Sequence, residues 1–274
     1  NDSNFEEKWA IWKNNLEDLP KYYFNAHINM VLTNDSVRKS NILAFVSHPD
    51  VINYNDSINH HFSDLDEISE LFNTVFGRYI HYFPDSTPPN RVIIINSFNS
   101  YGVDLYNEDL LIGLDFYLGE SHPNYDNMWD YIKQRSNKKF IVPDALEFWT
   151  TSTFLEYNQA KNFLDELIYK GKIVYLMRQC MPNSPLEDIL RFSKEDLRWC
   201  ESNERNIWNE IIQMELIYET IPSKFRTFFN PAPFTKGMPK ESPGRLGYWV
   251  GYQIIDNIIG RPIAHKTHSC TSKD

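Results

Sequence analysis

The sequence predicts an α+β fold, in which a small mixed β-sheet in the N-terminal half is followed by a helical half. Segments with strand character lie between positions 91 and 117, whereas the three-four spacing of apolar residues that is typical of helices dominates from Trp129 onward. A helix, a small sheet and then a run of helices argue against a doubly wound parallel sheet. We expect residues 1–260 to form a single globular α+β domain and residues 261–274 to form a polar C-terminal tail.

Three helices are predicted before the sheet. Glu6–Leu19 is amphipathic and ends at Pro20, which does not fit a helix interior. Ser40–Val46 fits either a strand or a short helix, and we favour the helix. Asp64–Tyr79 carries apolar residues at three-four spacing along its whole length, and Ser63 is its predicted N-cap.

The sheet is predicted from neighbouring segments. Arg91–Phe98 contains consecutive β-branched residues, and a segment that is apolar on both faces is typical of a central strand covered on both sides. Tyr101–Tyr106 and Leu110–Tyr117 are predicted to form a hairpin whose turn is Asn107–Asp109. Asp115 interrupts the second of these apolar segments. We expect its carboxylate to be buried and hydrogen-bonded to backbone donors or paired with a basic side chain, because an unpaired buried carboxylate is costly.

Helices account for most of the second half. Ser193 followed by Asp196 matches a capping box, with aspartate in place of glutamate. Pro143 fits a first helical turn, where its missing N–H costs no hydrogen bond. The predicted helices are Trp129–Asn137, Pro143–Phe154, Asn158–Cys180, Lys194–Tyr218, Ser223–Asn230 and Gly244–Ile259.

Composition excludes several classes of protein. The 274 residues are 42% hydrophobic and 15% aromatic, as in globular chains, and the net charge is -10. An acidic surface opposes general binding to nucleic acid, so we expect no nucleic-acid partner. No apolar stretch is long enough to span a membrane. Cys180, Cys200 and Cys270 are odd in number and form no Cys-x-x-Cys pair, so a zinc–thiolate site is not expected, and a disulfide framework is excluded in a chain of this size.

Motifs for common enzyme chemistries are missing from the sequence. None of the eight histidines belongs to a His-Glu-x-x-His motif, and His60–His61 is predicted to lie in a polar loop. Glycine-rich phosphate loops and the Gly-x-Ser-x-Gly element of serine hydrolases do not occur either. We therefore predict no catalytic residue, no bound metal and no cofactor.

The stretch Pro233–Ile255 is the most informative part of the chain. Its two Pro/Gly clusters predict a shaped loop, and the apolar helix that follows carries Gly247 and Gly251, which would let another element approach closely. Arg245 is predicted to lie in the first helical turn, with Gly244 freeing the backbone before it. A cation there opposes the helix dipole, so we expect a charge-assisted bond to a carboxylate. The candidate partners are Asp144, Glu147 and the acids of Glu201–Glu204.

Aromatic residues of the second half fit two roles. They could line a sugar-binding groove or serve as core anchors, and we favour the core. Two of them follow Arg245 closely and are, like it, candidate interaction or organising residues. The six aromatic residues are Trp199, Trp208, Tyr218, Tyr248, Trp249 and Tyr252.

Five blocks of sequence carry a family resemblance. Leu110–His122 reads Leu-Leu-Ile-Gly-Leu-Asp-Phe-Tyr-Leu-Gly-Glu-Ser-His, close to the pattern "LLIGLDxYLGxxH". The other blocks are Tyr79–Pro84, Leu164–Tyr175, Leu197–Glu204 and the stretch Pro233–Ile255. In their identity and order these blocks resemble the gliding-motility lipoprotein GldB family, and together they cover roughly residues 40–257.

The resemblance implies a zincin-like metallopeptidase scaffold without its metal site. The active helix of such a scaffold would fall at Pro143–Thr153, which contains Asp144 and Glu147 but no histidine. A later helix would offer Glu before Gly as a metal ligand, and Lys170 stands in that place before Gly171. We interpret this as a degenerate scaffold that has lost its chemistry. The acids of the first helix either form paired carboxylates or belong to an ordinary charged helix face, which we favour.

The resemblance also implies a function and a location. It points to an exported, non-enzymatic scaffold or accessory protein linked to gliding motility and to its protein-secretion apparatus, with protein partners from that machinery. Family members are anchored by a lipidated N-terminal cysteine to the inner leaflet of the outer membrane, at its periplasmic face. No cysteine lies near Asn1, so either the chain starts beyond that anchor or the protein departs from the family there. The alternative is a hydrolase of peptide or cell-wall glycan that uses Asp144, Glu147 or residues near Arg245.

Overall fold

A computed structural model describes residues 4–30, 34–98, 101–155 and 160–259 of the chain. It divides into two compact units, Asn1–Trp149 and Thr150–Asp274. The first unit holds a three-stranded mixed sheet among helices, and the second is built from helices, so the predicted α+β class is confirmed. The single domain expected over residues 1–260 stays a prediction, and the tail expected at 261–274 lies outside the described residues.

The helices that precede the sheet differ from the predicted ones mainly in number. The helix favoured at Ser40–Val46 is confirmed, and a helix not predicted from the sequence follows it. His60–His61 lies in the last turn of that helix, so its placement in a polar loop was wrong. These helices are α1 (Phe5–Leu16), α2 (Leu19–Tyr22), α3 (Asp35–Val46), α4 (Pro49–His61) and α5 (Asp66–Tyr82).

The helix α5 begins later than the sequence predicted. Leu65 occupies the cap position, and the carboxylate of Asp64 accepts a hydrogen bond from the backbone N–H of Asp66 at 2.9 Å. Ser63 is therefore not the N-cap, because Asp64, the next residue along the chain, accepts the hydrogen bond from the unpaired N–H at the start of the helix. The helix buries one apolar face, made of Phe72, Val75, Phe76 and Tyr79.

The sheet consists of β1 (Arg91–Ile95), β2 (Val103–Tyr106) and β3 (Asp109–Gly113), in the order β1-β3-β2. The predicted hairpin is confirmed: β2 and β3 pair antiparallel, and Asn107 in the turn between them takes a positive φ of 54°. The predicted second hairpin strand is shorter than expected, because Leu114–Tyr117 forms a 3-10 turn.

The central strand is β3, and the prediction of a central strand at Arg91–Phe98 was wrong. Every residue of β3 is buried, because it pairs with β1 in parallel on one side and with β2 on the other. β1 lies at the edge of the sheet, with Val92 and Ile94 37% and 47% exposed.

Most helices after the sheet begin close to their predicted positions. The capping box of Ser193 and Asp196 is confirmed, with hydrogen bonds of 2.8 and 3.0 Å in the two directions. The helix predicted from Trp129 is reduced to four residues, and the one predicted from Ser223 gives way to a 3-10 turn at Arg226–Phe228. These helices are α6 (Asp130–Lys133), α7 (Ile141–Thr153), α8 (Phe163–Cys180), α9 (Leu186–Leu190), α10 (Lys194–Gln213), α11 (Pro222–Phe225) and α12 (Leu246–Ile259).

Glycines bring α8 and α12 into direct backbone contact in the second unit. A Cβ atom at Gly251 would overlap the carbonyl oxygen of Leu167, and one at Gly171 would overlap the carbonyl group of Gly251. At Gly247 a Cβ atom would meet the ring of Phe229. The close approach expected from the glycines of α12 is confirmed, and it fixes the start of α12 beside α8.

Cys200 of α10 is buried, as expected of a small core residue, and burial raises the pKa of its thiol.

Among the described helices, none combines the length and the apolar composition needed to cross a bilayer.

Candidate functional site

The second unit contains a cleft of about 400 Å³ bounded by α8, α11 and the start of α12, which we call the α8–α12 cleft. Its described lining includes three cationic side chains and one carboxylate, that of Glu166. Aromatic rings form an apolar side next to these charges. The cations are Lys161, Lys170 and Arg226, and the rings are those of Phe225, Phe229 and Tyr248.

The helix α8 positions the central charged pair of the cleft. The side chain of Asn162 accepts a hydrogen bond from the backbone N–H of Asp165 at 3.0 Å and caps the helix. Glu166 and Lys170 follow one turn apart, so their side chains lie on the same face, with Nζ 3.8 Å from Oε1. Their side chains are only 20% and 16% exposed. Water therefore screens this pair less than a surface salt bridge.

The ring of Tyr248 connects the charged pair to the Pro/Gly-rich loop. The ammonium group of Lys170 lies 5.5 Å from the ring centroid, and the guanidinium carbon of Arg245 lies 3.9 Å from it. Both distances are typical of cation–π contacts. Phe229 packs against the same ring in an edge-on arrangement, with centroids 6.3 Å apart. Two cations thus lie close to one tyrosine at the cleft wall.

Arg245 lies at the loop–helix junction but not in the helix itself. It precedes α12 with a positive φ of 61°, and its N–H donates to the carbonyl oxygen of Asn230 at 3.2 Å. The left-handed conformation is therefore taken by Arg245 and not by Gly244. Glycine is required at position 244 for another reason: a Cβ atom there would overlap the backbone of Ala232. The residue as a whole is 6% exposed. Its expected bond to a carboxylate stays a prediction.

Asp115 lies in the first unit and is fully buried, as expected. Its carboxylate accepts hydrogen bonds from the N–H of Ser97 at 2.7 Å, from the Ser97 hydroxyl at 3.0 Å and from the Tyr54 hydroxyl at 3.2 Å. Burial, together with this carboxylate, raises the pKa of Tyr54. Tyr125 donates to the backbone oxygen of Asp115 at 2.6 Å, and burial raises the pKa of Tyr125 to about 12. These contacts tie the end of β1 to the 3-10 turn after β3.

Asp144 and Glu147 lie on one face of α7, and both are partly buried. The hydroxyl of Tyr117 donates to the carboxylate of Asp144 at 3.0 Å. This contact joins α7 to the turn that also contains Asp115. Asp144 thus makes a specific contact that a solvated helix face would lack.

His122 and Ser57 form a pair that sequence reasoning did not single out. Nε2 of His122 lies 3.1 Å from the hydroxyl of Ser57, while Nδ1 accepts the N–H of Asn124 at 3.3 Å. A ring nitrogen that accepts a hydrogen bond carries no proton. With Nδ1 accepting, the neutral ring therefore has its N–H at Nε2, and this N–H donates a hydrogen bond to the Ser57 hydroxyl. Burial lowers the pKa of His122 and outweighs the opposite effect of Asp126. In this tautomer the ring nitrogen that faces Ser57 is a donor, and the pair links α4 to the turn at Pro123–Tyr125.

The aromatic residues of the second half do not share one groove. Trp249, Tyr248 and Tyr252 are buried, whereas Tyr218 is 77% exposed. The core role favoured for these aromatic residues is therefore confirmed for the three residues of α12.

Within residues 4–30, 34–98, 101–155 and 160–259, no three of histidine, cysteine, aspartate and glutamate cluster closely enough to hold a metal ion.

The structure brings together only part of the predicted set of site residues. Lys170, Arg245 and Tyr248 meet in the second unit, whereas Asp115 belongs to a separate network in the first. Sequence reasoning missed Glu166, although its i, i+4 spacing to a lysine is a detectable signal. It also missed the cleft cations Lys161 and Arg226, which have no sequence motif to mark them.

Comparison with known proteins identifies the family. A family model described as "Gliding motility protein GldB" matches residues 2–261, almost the whole chain. No curated protein and no solved structure matches the chain. The likeness to a zincin-like peptidase scaffold therefore stays an expectation. Because the match covers far more than half of the sequence, the chain belongs to the GldB family of gliding-motility lipoproteins.

Proposed function

We propose that this protein is a non-enzymatic docking subunit of the gliding machinery and of its protein-secretion apparatus. It would be held as a lipoprotein at the periplasmic face of the outer membrane. Membership of the GldB family supports the link to gliding motility and to a lipid anchor. The α8–α12 cleft supplies the surface on which a partner protein would dock.

The observation that carries this proposal is the placement of Lys170 and Arg245 around the ring of Tyr248. The cations that line the cleft are Lys161, Lys170 and Arg226, against the single carboxylate of Glu166 among the described lining residues, while Arg245 lies buried behind the Tyr248 ring. The chain as a whole carries a net charge of -10. A locally cationic cleft on an acidic protein favours an acidic segment of a partner, with an apolar residue beside the aromatic rings.

The contacts of the groups that could perform chemistry support a non-enzymatic role. Asp144 accepts the hydroxyl of Tyr117, and Asp115 accepts three hydrogen bonds in the core. His122 holds the tautomer that donates to its serine. On the peptidase-like scaffold that the family resemblance leads us to expect, Lys170 would place a cation where an acidic metal ligand is needed.

Charge reversal in the cleft tests the docking role. We would measure binding of a synthetic peptide of glutamate and phenylalanine to the whole chain and to a Lys170→Glu, Arg226→Glu double variant. We expect the affinity to fall by at least about tenfold, because two attractive charges become repulsive. Lys172→Glu is the matched control, since Lys172 is exposed on the same helix and does not line the cleft. Equal affinities for all three proteins would contradict a docking cleft.

A separate measurement tests the non-enzymatic part. The purified chain would be incubated with casein and with isolated cell-wall glycan, and its metal content determined by elemental analysis. We expect no hydrolysis. Stoichiometric metal together with hydrolysis that is lost in Asp144→Asn or Glu147→Gln would instead establish the hydrolase.

A further inference from the structure

We propose that the free edge of β1 receives an extended segment of a partner protein, which pairs with β1 as an additional strand. This site lies in the first unit and is independent of the α8–α12 cleft. Its partner segment would have apolar side chains at alternate positions and basic residues at its end.

The backbone of β1 is open on one side. Within the described residues, β1 pairs with β3 alone, so its opposite edge has no strand partner there and its backbone N–H and C=O groups on that side are not used in the sheet. The two ends of the strand are engaged by other contacts: Arg91 donates to Asp109 and to the carbonyl oxygen of Asn15, and the carbonyl of Asn96 accepts the hydroxyl of Tyr23. The middle of β1 is thus the part available for pairing.

An apolar groove runs beside this edge. It has a volume of about 530 Å³ and lies between α5 and the sheet, with Phe72 and Phe76 on the helix side and Val92, Ile94 and Ile112 on the sheet side. Val92 and Ile94 share one face of the strand, line the groove and are 37% and 47% exposed, so the groove leaves a small apolar patch uncovered. An added strand would cover these side chains and satisfy the open backbone groups at the same time. A ligand without a peptide backbone would cover the apolar side chains but would leave the backbone groups of β1 unpaired.

Gly77 keeps the groove open on the helix side. It lies in the interior of α5, where glycine costs helix stability of roughly 1 kcal/mol relative to alanine. No atom lies within 4 Å of a Cβ built at this position, so packing within the chain does not require glycine there. Glycine at this position therefore leaves room in the groove wall for a side chain of the partner, and it lowers the local stability of the helix.

Charge favours a basic partner over a second copy of this chain. The first turns of α5 flank the groove through Leu65 and Ile68, and they carry a cluster of exposed carboxylates. A copy of the chain would bring the same carboxylates and another net charge of -10, which opposes self-association. A segment with lysine or arginine at its end would be attracted instead. The acids are Asp64, Asp66, Glu67 and Glu70.

Peptide binding with hydrogen-exchange readout tests this proposal. The probe is a short synthetic peptide of alternating valine and threonine with lysines at both ends, and its companion has N-methylated backbone amides. We expect the unmodified peptide to bind the whole chain and to slow amide exchange in 91–95, and the companion to bind at least about tenfold more weakly. Equal binding of both peptides, or binding without protection of β1, would overturn strand pairing. No binding of the unmodified peptide would overturn the proposal itself.

Two variants separate the groove from the rest of the surface. Ile94→Lys places a charge on the groove floor, and Gly77→Leu fills the groove while favouring the helix. We expect each to weaken peptide binding at least about tenfold, with melting curves that show a folded protein. Leu71→Lys is the matched control, because Leu71 is exposed on α5 and does not line the groove. A self-dimer in sedimentation that Ile94→Lys dissolves would show that the occupant is a second copy and overturn the assignment to a partner.

Discussion

Gly251 of α12 lies directly against the carbonyl oxygen of Leu167 in α8, at a separation that leaves no room for a Cβ atom. Gly171 stands in the same relation to the carbonyl group of Gly251, so each helix contributes one glycine to the contact. Because both obstacles are backbone atoms of rigid helices, neither can move aside without separating the helices. The position of Tyr248 at the cleft wall depends on this contact.

We expect Gly251→Ala to lower the free energy of unfolding by about 2 kcal/mol, because the overpacked methyl group outweighs the gain in helix propensity. Gly77→Ala is the matched control with the same chemical change in another helix. Because a Cβ atom at position 77 would meet no other atom within 4 Å, Gly77→Ala should raise the free energy of unfolding by about 0.5–1 kcal/mol. Urea unfolding followed by circular dichroism measures both values. Equal effects of the two substitutions would contradict a close helix contact at Gly251.

Removal of the buried carboxylate should also destabilise the protein. We expect Asp115→Ala to lower the free energy of unfolding by about 3 kcal/mol, because the N–H and hydroxyl of the fully buried Ser97 lose their acceptor. Asp56→Ala on the exposed face of α4 is the control and should change stability little. Thermal melting of the purified variants checks this. An unchanged melting curve for Asp115→Ala, combined with lost gliding function, would identify a functional site instead of a structural one.

The His122 environment predicts a defined acid sensitivity. Burial lowers the folded-state pKa of His122 below the value of about 6.5 expected in the unfolded chain. Between these two pKa values the unfolded state binds more protons, so stability is full above about pH 6.5 and falls as the pH drops below it.

The variant His122→Asn should reduce this loss, because asparagine keeps the cap on the N–H of Asn124 and does not titrate. His81→Asn, at an exposed position, is the control and should leave the acid sensitivity in place. Urea unfolding at about pH 7.5 and about pH 5.5, with an NMR titration of the imidazole resonances, measures the effect. A folded-state pKa above 6.5 would contradict the burial argument.

The positive φ of Arg245 allows its role to be tested by the sign of a stability change. A non-glycine residue in this conformation costs roughly 1–2 kcal/mol, which glycine would relieve. If the side chain is architectural, as we expect, Arg245→Gly should still lower the free energy of unfolding, because the contact with Tyr248 and the expected carboxylate bond are lost. Chemical denaturation provides the value. A more stable Arg245→Gly protein that no longer binds the acidic peptide would assign the arginine to docking alone.

Local patterns were sufficient to predict several elements. The hairpin from Val103 to Gly113 follows from the turn residue Asn107, and the capping box of Ser193 and Asp196 follows from side chains that bond to their own neighbouring backbone. The long helix α5 was visible from its apolar spacing. In contrast, α4 was missed because its sequence is largely polar and carries only two buried apolar residues.

The sequence by itself determined the α+β class and the identity of the glycines of α12 as close-packing positions, because both are visible in the spacing of neighbouring residues. It also determined the family, because the blocks that carry the resemblance are each short local motifs. Tertiary structure alone decided that β3 is central and β1 is an edge strand, since both are equally apolar and only their pairing distinguishes them. It also decided that Lys170 and Arg245 meet at Tyr248. Such contacts join helices that are distant in sequence, and they arise from the packing of α12 on α8, which no local propensity encodes.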